Sequence, residues 1–380
     1  MIDLQKYRIP GQLIEDLLEE KGWTQRILAI ILGVEDPIVS KLVNGKAPVT
    51  AELAILLGEV FGLDADVFLT LQRSFDLNQA RLIVRPDPGR QKRAQIFGKF
   101  PISEMVKRGW IQVENQRDSK EVEKAISEFF QAPLGAEAEL LPHAAKKSKA
   151  HEEVTPAQLA WLYRANELAE EILVPAFSTD NAKACAERLM GLRQSEEDMR
   201  KIPRFLSDAG IRFLIVEALP ASKIDGACFW LNEKSPVVAM TARFDRIDNF
   251  WFVLRHELEH VIRGDGKGQI IMDTELEGER GGVGDDIAEE ERLANEAAAN
   301  FCVPGDMMEK FYSRKSPFFA ERDVLAFAKM IKVHPGLIAG QLRRRTQRYN
   351  IFNDLLVKVR HIIFPTAIVD GWGDIAPTGD

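Results

Sequence analysis

The sequence lacks most features of secreted and membrane proteins. Its 380 residues include only three cysteines, Cys185, Cys228 and Cys302, which are odd in number and far apart. This argues against a disulfide framework and favours packed thiols in a reducing compartment. No run approaches the roughly 18 apolar residues of a membrane-spanning helix, and the N-terminus lacks the apolar segment of a signal peptide. We therefore expect a cytoplasmic protein with no membrane partner.

The chain also has no excess of basic residues. It carries 50 Lys and Arg against 58 Asp and Glu, a formal net charge of -8, so no whole-molecule basic field attracts nucleic acid. The rest of the composition, 46% hydrophobic and 28% charged, is ordinary for a globular protein. The length is sufficient for two or three domains.

The chemistry of the chain is concentrated in residues 250–263, FWFVLRHELEHVIR, an apolar segment with helical periodicity. It carries His256, Glu257 and His260 in the order H-E-x-x-H. Residues four apart lie on one face of a helix, so the two imidazoles can share one zinc ion, or another divalent ion such as manganese. Glu257 lies beside them and can take a proton from the attacking water. The alternative is a chance register on an ordinary core helix.

A third metal ligand is available downstream, in the Glu- and Ala-rich residues 287–304, which predict a second helix. We place Glu291 on the metal. Asn295 follows one turn later on the same face, where it can hydrogen-bond a ligand from outside the coordination sphere. Three other acids of the helix compete for the third position: Glu289, Glu290 and Glu296. Most of these acids are expected to form a solvated helix face.

HELEH, followed by E-x-x-A-N at residues 291–295 and a run of small residues ending at Pro304, resembles the ImmA/IrrE family of zinc-dependent metallopeptidases over residues 155–345. The resemblance implies a zincin-like α+β domain. It also implies that His256, His260 and Glu291 bind the metal and that Glu257 is the general base. The implied substrate is a regulatory protein, such as a transcriptional repressor.

Residues 11–70 predict a bundle of four short helices punctuated by glycines. Thr24 can cap the second helix, and Asp36 with Pro37 can open the third. Residues 24–50 resemble the repressor-type helix-turn-helix of HigA antitoxins, and the likeness extends to about Gln72. The resemblance implies an operator DNA partner and a homodimer, with a toxin as a further candidate partner.

In a helix-turn-helix module the third helix enters the major groove. The residues placed to meet bases or phosphates are Asp36, Ile38, Ser40 and Lys41, with Gln25 and Lys46 near the backbone. Glu35 and Asp36 put two acids where phosphates would lie, which weakens the salt-dependent part of binding. A bundle that docks a protein is the alternative.

We expect an α+β protein that is mostly helical, in five segments. The predicted segments are an all-α helix-turn-helix domain (1–72), a basic helical connector (73–140), a polar linker (141–154), the metallopeptidase domain (155–345) and a C-terminal tail (346–380). Three short apolar runs, at 211–219, 226–232 and 235–241, predict a small sheet against which the HELEH helix packs. The Gly- and acid-rich residues 264–286 are expected to be a mobile, solvated loop between the ligand helices.

The sequence thus predicts a DNA-binding transcriptional regulator with a zinc-dependent endopeptidase domain, acting in a stress or toxin–antitoxin response. The alternative is a non-enzymatic, antitoxin-like repressor whose metal domain senses a ligand or binds a toxin. Glu257 favours the enzyme, because a structural zinc site needs no base and is normally closed by four protein ligands. His334 and Tyr312 are candidate donors to an oxyanion, with a helix-capping role as the alternative for His334.

Overall fold

The computed structural model describes residues 3–84, 87, 89–132, 145–147, 154–268, 270–274, 276 and 288–372. The chain divides into two compact units, Met1–Pro88 and Gly89–Asp380. No helix in the described ranges combines the length and the apolar character that crossing a bilayer requires.

The first unit is a helical bundle. After a 3-10 turn (Leu4–Lys6), its described residues form α1 (Pro10–Lys21), α2 (Gln25–Leu32), α3 (Asp36–Val43), α4 (Ala51–Phe61) and α5 (Ala65–Ile83). The Thr24 side chain accepts a hydrogen bond from the backbone N–H of Ile27, so the predicted cap of α2 is confirmed. Gly33 ends α2 with a φ of 69°, a left-handed conformation that lets the chain turn directly into α3.

The core of this bundle is formed by the inward faces of all five helices. Its fully buried side chains include Leu13, Ile14, Leu28, Val39, Leu42, Leu57 and Phe68. Helix α5 contributes Phe68 and Leu71 to this core and then continues to Ile83. The helix therefore runs through the boundary expected at residue 72, and the two units divide after Pro88.

The second unit is built on one mixed sheet. Its described strands are β1 (Ala145–Lys147), β2 (Arg212–Val216), β3 (Ile224–Trp230), β4 (Pro236–Met240), β5 (Ile270–Thr274) and β6 (Ile368–Asp370), in the order β1-β5-β3-β4-β2-β6. Strand β3 is antiparallel to β4 and β5, whereas the other pairs are parallel. The expectation of a mostly helical α+β protein with a small sheet is confirmed.

Helices cover both faces of this sheet. The described helices of the second unit are α6 (Gly89–Lys99), α7 (Ile102–Lys107), α8 (Ser119–Phe129), α9 (Pro156–Glu171), α10 (Thr179–Met190), α11 (Ile202–Asp208), α12 (Ile247–Arg263), α13 (Glu289–Cys302), α14 (Gly305–Lys315), α15 (Glu321–Ile331), α16 (Pro335–Thr346) and α17 (Arg360–Ile363). Short 3-10 turns occur at Glu197–Lys201, Asn353–Leu355 and Phe364–Thr366.

Successive side chains along a strand point to opposite faces of the sheet. On β4, Val238 and Met240 belong to one hydrophobic cluster, which includes helix α12. Val237 and Ala239 belong to the other, which is covered by residues of α6 to α9. Helices α6 to α8, which lie in the expected connector, therefore cover the second face of the sheet together with α9, because strands that are apolar on both sides need two layers of helix.

Two further segments differ from the sequence expectation. Residues 145–147, inside the expected linker, form the edge strand β1 beside β5, while 141–144 and 148–153 lie outside the described residues. In the expected tail, β6 pairs with β2, and Asp370 accepts hydrogen bonds from Trp110 and Arg164. The tail is therefore an integral part of the second unit up to Trp372.

The three cysteines are free and buried. Burial raises the pKa of the Cys185 and Cys302 thiols to about 12. The expectation of packed thiols is confirmed.

Candidate functional site

Helix α12 carries the H-E-x-x-H residues deep inside the second unit. Its apolar side chains Trp251, Leu254 and Leu258 are fully buried between the sheet and the neighbouring helices. His256, Glu257 and His260 are also fully buried, with no exposed surface. Polar groups at this depth need partners to offset the loss of water.

Four side chains from three elements meet at this position. His256 and His260 come from α12, Asp273 from β5 and Glu291 from α13, and their possible ligand atoms all lie within 4.8 Å of one another. His256 Nε2 lies 3.1 Å from His260 Nε2, 3.2 Å from Asp273 Oδ2 and 3.4 Å from Glu291 Oε2. The structure therefore brings together the three predicted ligands and a fourth group.

These distances fit a shared metal ion. Bonds of about 2.0–2.1 Å to nitrogen and oxygen place neighbouring ligands of one ion roughly 3.0–3.4 Å apart. Within the described residues, both oxygens of Asp273 and Oε2 of Glu291 are buried without a hydrogen-bond partner. Buried charges of this kind are found paired or on a metal, and this donor set with its unsatisfied atoms could hold a divalent cation.

The electrostatics of the cluster also demand a positive charge. Burial lowers the pKa of the His256 imidazole, but Asp273 and Glu291 reverse this effect and hold the pKa well above its usual range. The carboxylates thus stabilise a cation, whether a proton on the imidazole or a metal ion between the ligands. His260 has an outer partner as well, since its Nδ1 lies 3.2 Å from Asp265 Oδ2. Such a contact fixes the ring so that Nε2 faces the cluster.

Glu257 lies beside the cluster on the same helix. Its carboxylate packs against the Cα of Gly226 on β3, where an added Cβ would come within 2.9 Å of Glu257 Cδ. Among the described residues, neither oxygen has a hydrogen-bond partner. Burial raises the pKa of the Glu257 carboxyl well above its usual range, and the negative charge of Asp273 adds to this effect. Glu257 is therefore a buried acid with free oxygens and a high affinity for a proton.

Asp273 is the site residue that the sequence reasoning missed. It lies in the stretch expected to be a mobile loop, but residues 270–274 form β5 and Asp273 has no exposed surface. Asp273 is in register with Gly226 across the β3–β5 pair, which places both beside helix α12. The run Ile270–Thr274 is short, apolar and β-favouring, which was the available signal.

The competing acids of α13 point elsewhere. Glu289 and Glu296 are exposed and form ion pairs with Arg292, whereas Glu291 is 3% exposed and faces the histidines. Glu290 is not part of the cluster. Asn295 follows Glu291 by one turn and has a buried Oδ1 without a hydrogen-bond partner in the described ranges. Its predicted hydrogen bond to a ligand stays a prediction.

His334 and Tyr312 are occupied with structural contacts. His334 precedes α16, and its Nδ1 accepts a hydrogen bond from the backbone N–H of Gly336 at 3.1 Å. This is the helix-capping role. Tyr312 packs against Phe319 and the guanidinium of Arg345.

The first unit presents an exposed face on α3. Ile38, Ser40 and Lys41 are exposed there, as is Lys46 after the helix, while Gln25 at the start of α2 is half-buried. Of the two adjacent acids Glu35 and Asp36, Asp36 has a basic partner, because its carboxylate lies 3.9 Å from the Arg26 guanidinium. The predicted contact residues other than Gln25 are therefore exposed at the surface.

Comparison with known proteins bears on this first unit. No protein-family model matches the chain. The uncharacterized HTH-type transcriptional regulator YddM of Escherichia coli strain K12 is 33% identical over 75 residues, which are 20% of this chain and 80% of YddM. Through its N-terminal segment, the chain belongs to the HTH-type transcriptional regulators.

Two solved structures are similar over a segment of the same size. A putative antidote protein of a plasmid maintenance system from Nostoc punctiforme shares 32% identity, with a TM-score of 0.19, over 20% of this chain and 86% of that one. An addiction module antidote protein of a HigA family from Coxiella burnetii shares 25% identity, with a TM-score of 0.18, over 20% of this chain and 95% of that one.

Proposed function

We propose that the protein is a DNA-binding transcriptional regulator whose second unit is a metal-dependent endopeptidase. The proposal for the second unit is carried by one observation. His256, His260 and Glu291 converge in a buried cluster with unsatisfied oxygens, and Glu257 lies beside them. This combination of metal ligands and an adjacent free carboxylate is the chemistry of metal-assisted hydrolysis.

The residues of the cluster have separate roles. His256, His260 and Glu291 would hold a divalent ion, either zinc or an ion such as manganese. When bound, such an ion polarises a carbonyl and lowers the pKa of a coordinated water towards about 7. Asp265 keeps the His260 ring in the orientation that directs Nε2 to the cluster.

Glu257 is the proposed general base. Its oxygens make no hydrogen bond with the described residues. They are therefore available to accept a proton and then to deliver it to the leaving amine. Gly226 holds the carboxylate in place from the sheet side. The ionised form that accepts the proton is favoured when a cation balances Asp273 and Glu291.

The first unit is proposed to bind operator DNA. Support comes from the HTH-type transcriptional regulator of Escherichia coli and from the exposed face of α3. We propose a homodimer on two half-sites, as helix-turn-helix proteins commonly form. The presence of this unit on the same chain supports a regulatory protein, such as a repressor, as the substrate of the second unit in a stress or toxin–antitoxin response.

A non-enzymatic regulator, whose second unit senses a ligand or binds a toxin, is the second candidate. Asp273 favours it, because two histidines and two carboxylates can close a four-coordinate metal site and leave no position for water. Glu257 favours the enzyme, since a closed structural site has no use for a buried free carboxylate beside it.

Incubation with candidate regulators separates the two. The full chain, loaded with zinc or manganese, is mixed with repressors and with a second sample of itself, with and without genomic DNA, and fragments are identified by mass spectrometry. The proposal predicts defined cleavage that a chelator abolishes and added metal restores. Cleavage that persists after the metal has been removed would contradict it, as would metal-loaded protein that yields no fragments while metal still alters DNA binding.

A further inference from the structure

We infer that Asp273 and a bidentate Glu291 complete a site with five donor atoms, a donor set that suits a six-coordinate ion such as Mn²⁺ or Fe²⁺ better than four-coordinate Zn²⁺. The inference rests on the proposed metal site and names the ion that the site is built for.

The two oxygens of Glu291 face different imidazoles. Oε2 lies 3.4 Å from His256 Nε2, and Oε1 lies 3.6 Å from His260 Nε2. The two Nε2 atoms are only 3.1 Å apart, so both oxygens border the same small volume. Because each oxygen approaches one of these nitrogens, both are within reach of one ion. This orientation is that of a carboxylate that binds one ion through both oxygens.

Asp273 supplies the fifth donor. Its Oδ2 lies 3.2 Å from His256 Nε2, the spacing of neighbouring ligands on one ion. The side chain has no exposed surface, and in the described ranges neither of its oxygens has a hydrogen-bond partner. A buried carboxylate with both oxygens unsatisfied and directed at the histidines is better explained as a ligand than as a core residue.

Five donors exceed what a tetrahedral zinc site uses. Ions that take six ligands accept two imidazole nitrogens and three carboxylate oxygens and keep one position open for water or substrate. The two carboxylate charges balance the two charges of the ion. Asp273 as a fourth ligand residue would close a four-coordinate site and leave no position for water. With a six-coordinate ion, five donor atoms still leave one position open, so Asp273 is compatible with catalysis.

The test uses the full chain freed of metal by a chelator and loaded with Co²⁺, Mn²⁺ or Zn²⁺ alone. The visible absorption of the Co²⁺ form indicates the coordination number of the ion, since four-coordinate Co²⁺ absorbs strongly and six-coordinate Co²⁺ absorbs weakly. Wild type is expected to absorb weakly. Asp273→Ala is expected to absorb more strongly, and its affinity should fall by at least about tenfold more for Mn²⁺ than for Zn²⁺. Glu296→Ala, an exposed acid on α13, is the control and should match wild type.

The outcomes separate this inference from the proposed function. Strong absorption by wild type, or equal losses of Mn²⁺ and Zn²⁺ affinity in Asp273→Ala, would overturn the inference and leave the metal site in place. Failure of wild type to bind any of the three ions would overturn both. If Asp273→Ala does not fold, Asp273→Asn keeps the shape and removes the charge, and the same selective loss of Mn²⁺ is expected.

Discussion

The carboxylate of Glu257 lies against the Cα of Gly226, the residue that pairs with Asp273 across strands β3 and β5. One glycine thus sets the position of the proposed base and is in register with a proposed ligand. The absence of a side chain at Gly226 is what leaves room for the Glu257 carboxylate.

Gly226→Ala is expected to displace Glu257 and leave the metal ligands in place. The added Cβ would lie 2.9 Å from Glu257 Cδ, closer than real Cβ contacts, so the carboxylate must move. A shift of about 1 Å can cost on the order of 10²-fold in rate, and we expect a loss of that size in peptide hydrolysis. The measurement is kcat/KM alongside metal content. Gly268→Ala, where a Cβ meets nothing within 4 Å, is the matched control. An unchanged rate in Gly226→Ala would show that this contact does not position the base.

Asp265→Asn is expected to weaken metal binding about 10–100-fold, as the loss of an outer hydrogen-bond partner generally does. Asp265 Oδ2 lies 3.2 Å from His260 Nδ1 and holds that ring in place. Affinity is measured by competition with a coloured chelator. Asp306→Asn, an exposed acid on α14, serves as the control. Equal affinities for Asp265→Asn and wild type would exclude this role.

Asp225 is expected to give the second unit a pH-dependent stability. The residue lies at an irregularity between β3 and β5, where it pairs with Arg243 and accepts a hydrogen bond from the backbone N–H of Leu276. Burial raises the pKa of its carboxyl from 3.8 to about 6, against the opposing effect of Arg243. The folded state therefore binds this proton more tightly than the unfolded state does.

This stabilisation is fully present below about pH 4 and is lost as the pH rises through about 6. The difference between a pKa of 3.8 and one of about 6 corresponds to a free energy on the order of 3 kcal/mol. Urea unfolding of wild type and Asp225→Asn between pH 4 and 7 measures the difference. The wild-type free energy of unfolding should fall relative to that of the variant as the pH rises. A constant difference between the two proteins would contradict the assignment.

Lys41→Ala tests the DNA surface. Lys41 is exposed on α3, and its removal should weaken operator binding. If Lys41 meets a phosphate, the slope of log affinity against log salt should become shallower by about 0.9. If it meets a base, specificity should relax as well. Lys21→Ala, at the end of α1, is the control. If selection from random duplexes enriches no motif with the full chain, the α3 face is a protein-docking surface.

The part of the site that the sequence predicts is the part set by local geometry. His256, Glu257 and His260 lie within five consecutive residues of one helix, so their spacing alone places them together. Glu291 is predicted by its motif and is the acid of its helix that faces the histidines. The assignment of His256, Glu257 and His260 needs no knowledge of how distant segments pack, whereas Glu291 lies on a second helix and its assignment rests on the motif.

Asp273 could not be placed in the same way. It reaches the site only through the pairing of β5 with β3, and a single sequence does not reveal which strands pair. The strand is short and lies between glycine- and acid-rich residues, so the sequence pattern of this region predicts a loop. The sequence predicts α6 to α8 as a connector for a related reason, since covering the second face of a sheet is a property of the assembled unit.

The most direct test of the proposed peptidase is the rate of peptide-bond cleavage by metal-loaded Glu257→Gln beside metal-loaded wild type. The substitution keeps the size of the side chain and removes its ability to take a proton. The protein should keep its fold and its metal, while cleavage falls by about 10²–10⁴-fold or more. Glu296→Gln on α13 should cleave like wild type. Cleavage by Glu257→Gln at the wild-type rate, with metal bound, would contradict the assignment of Glu257 as the base.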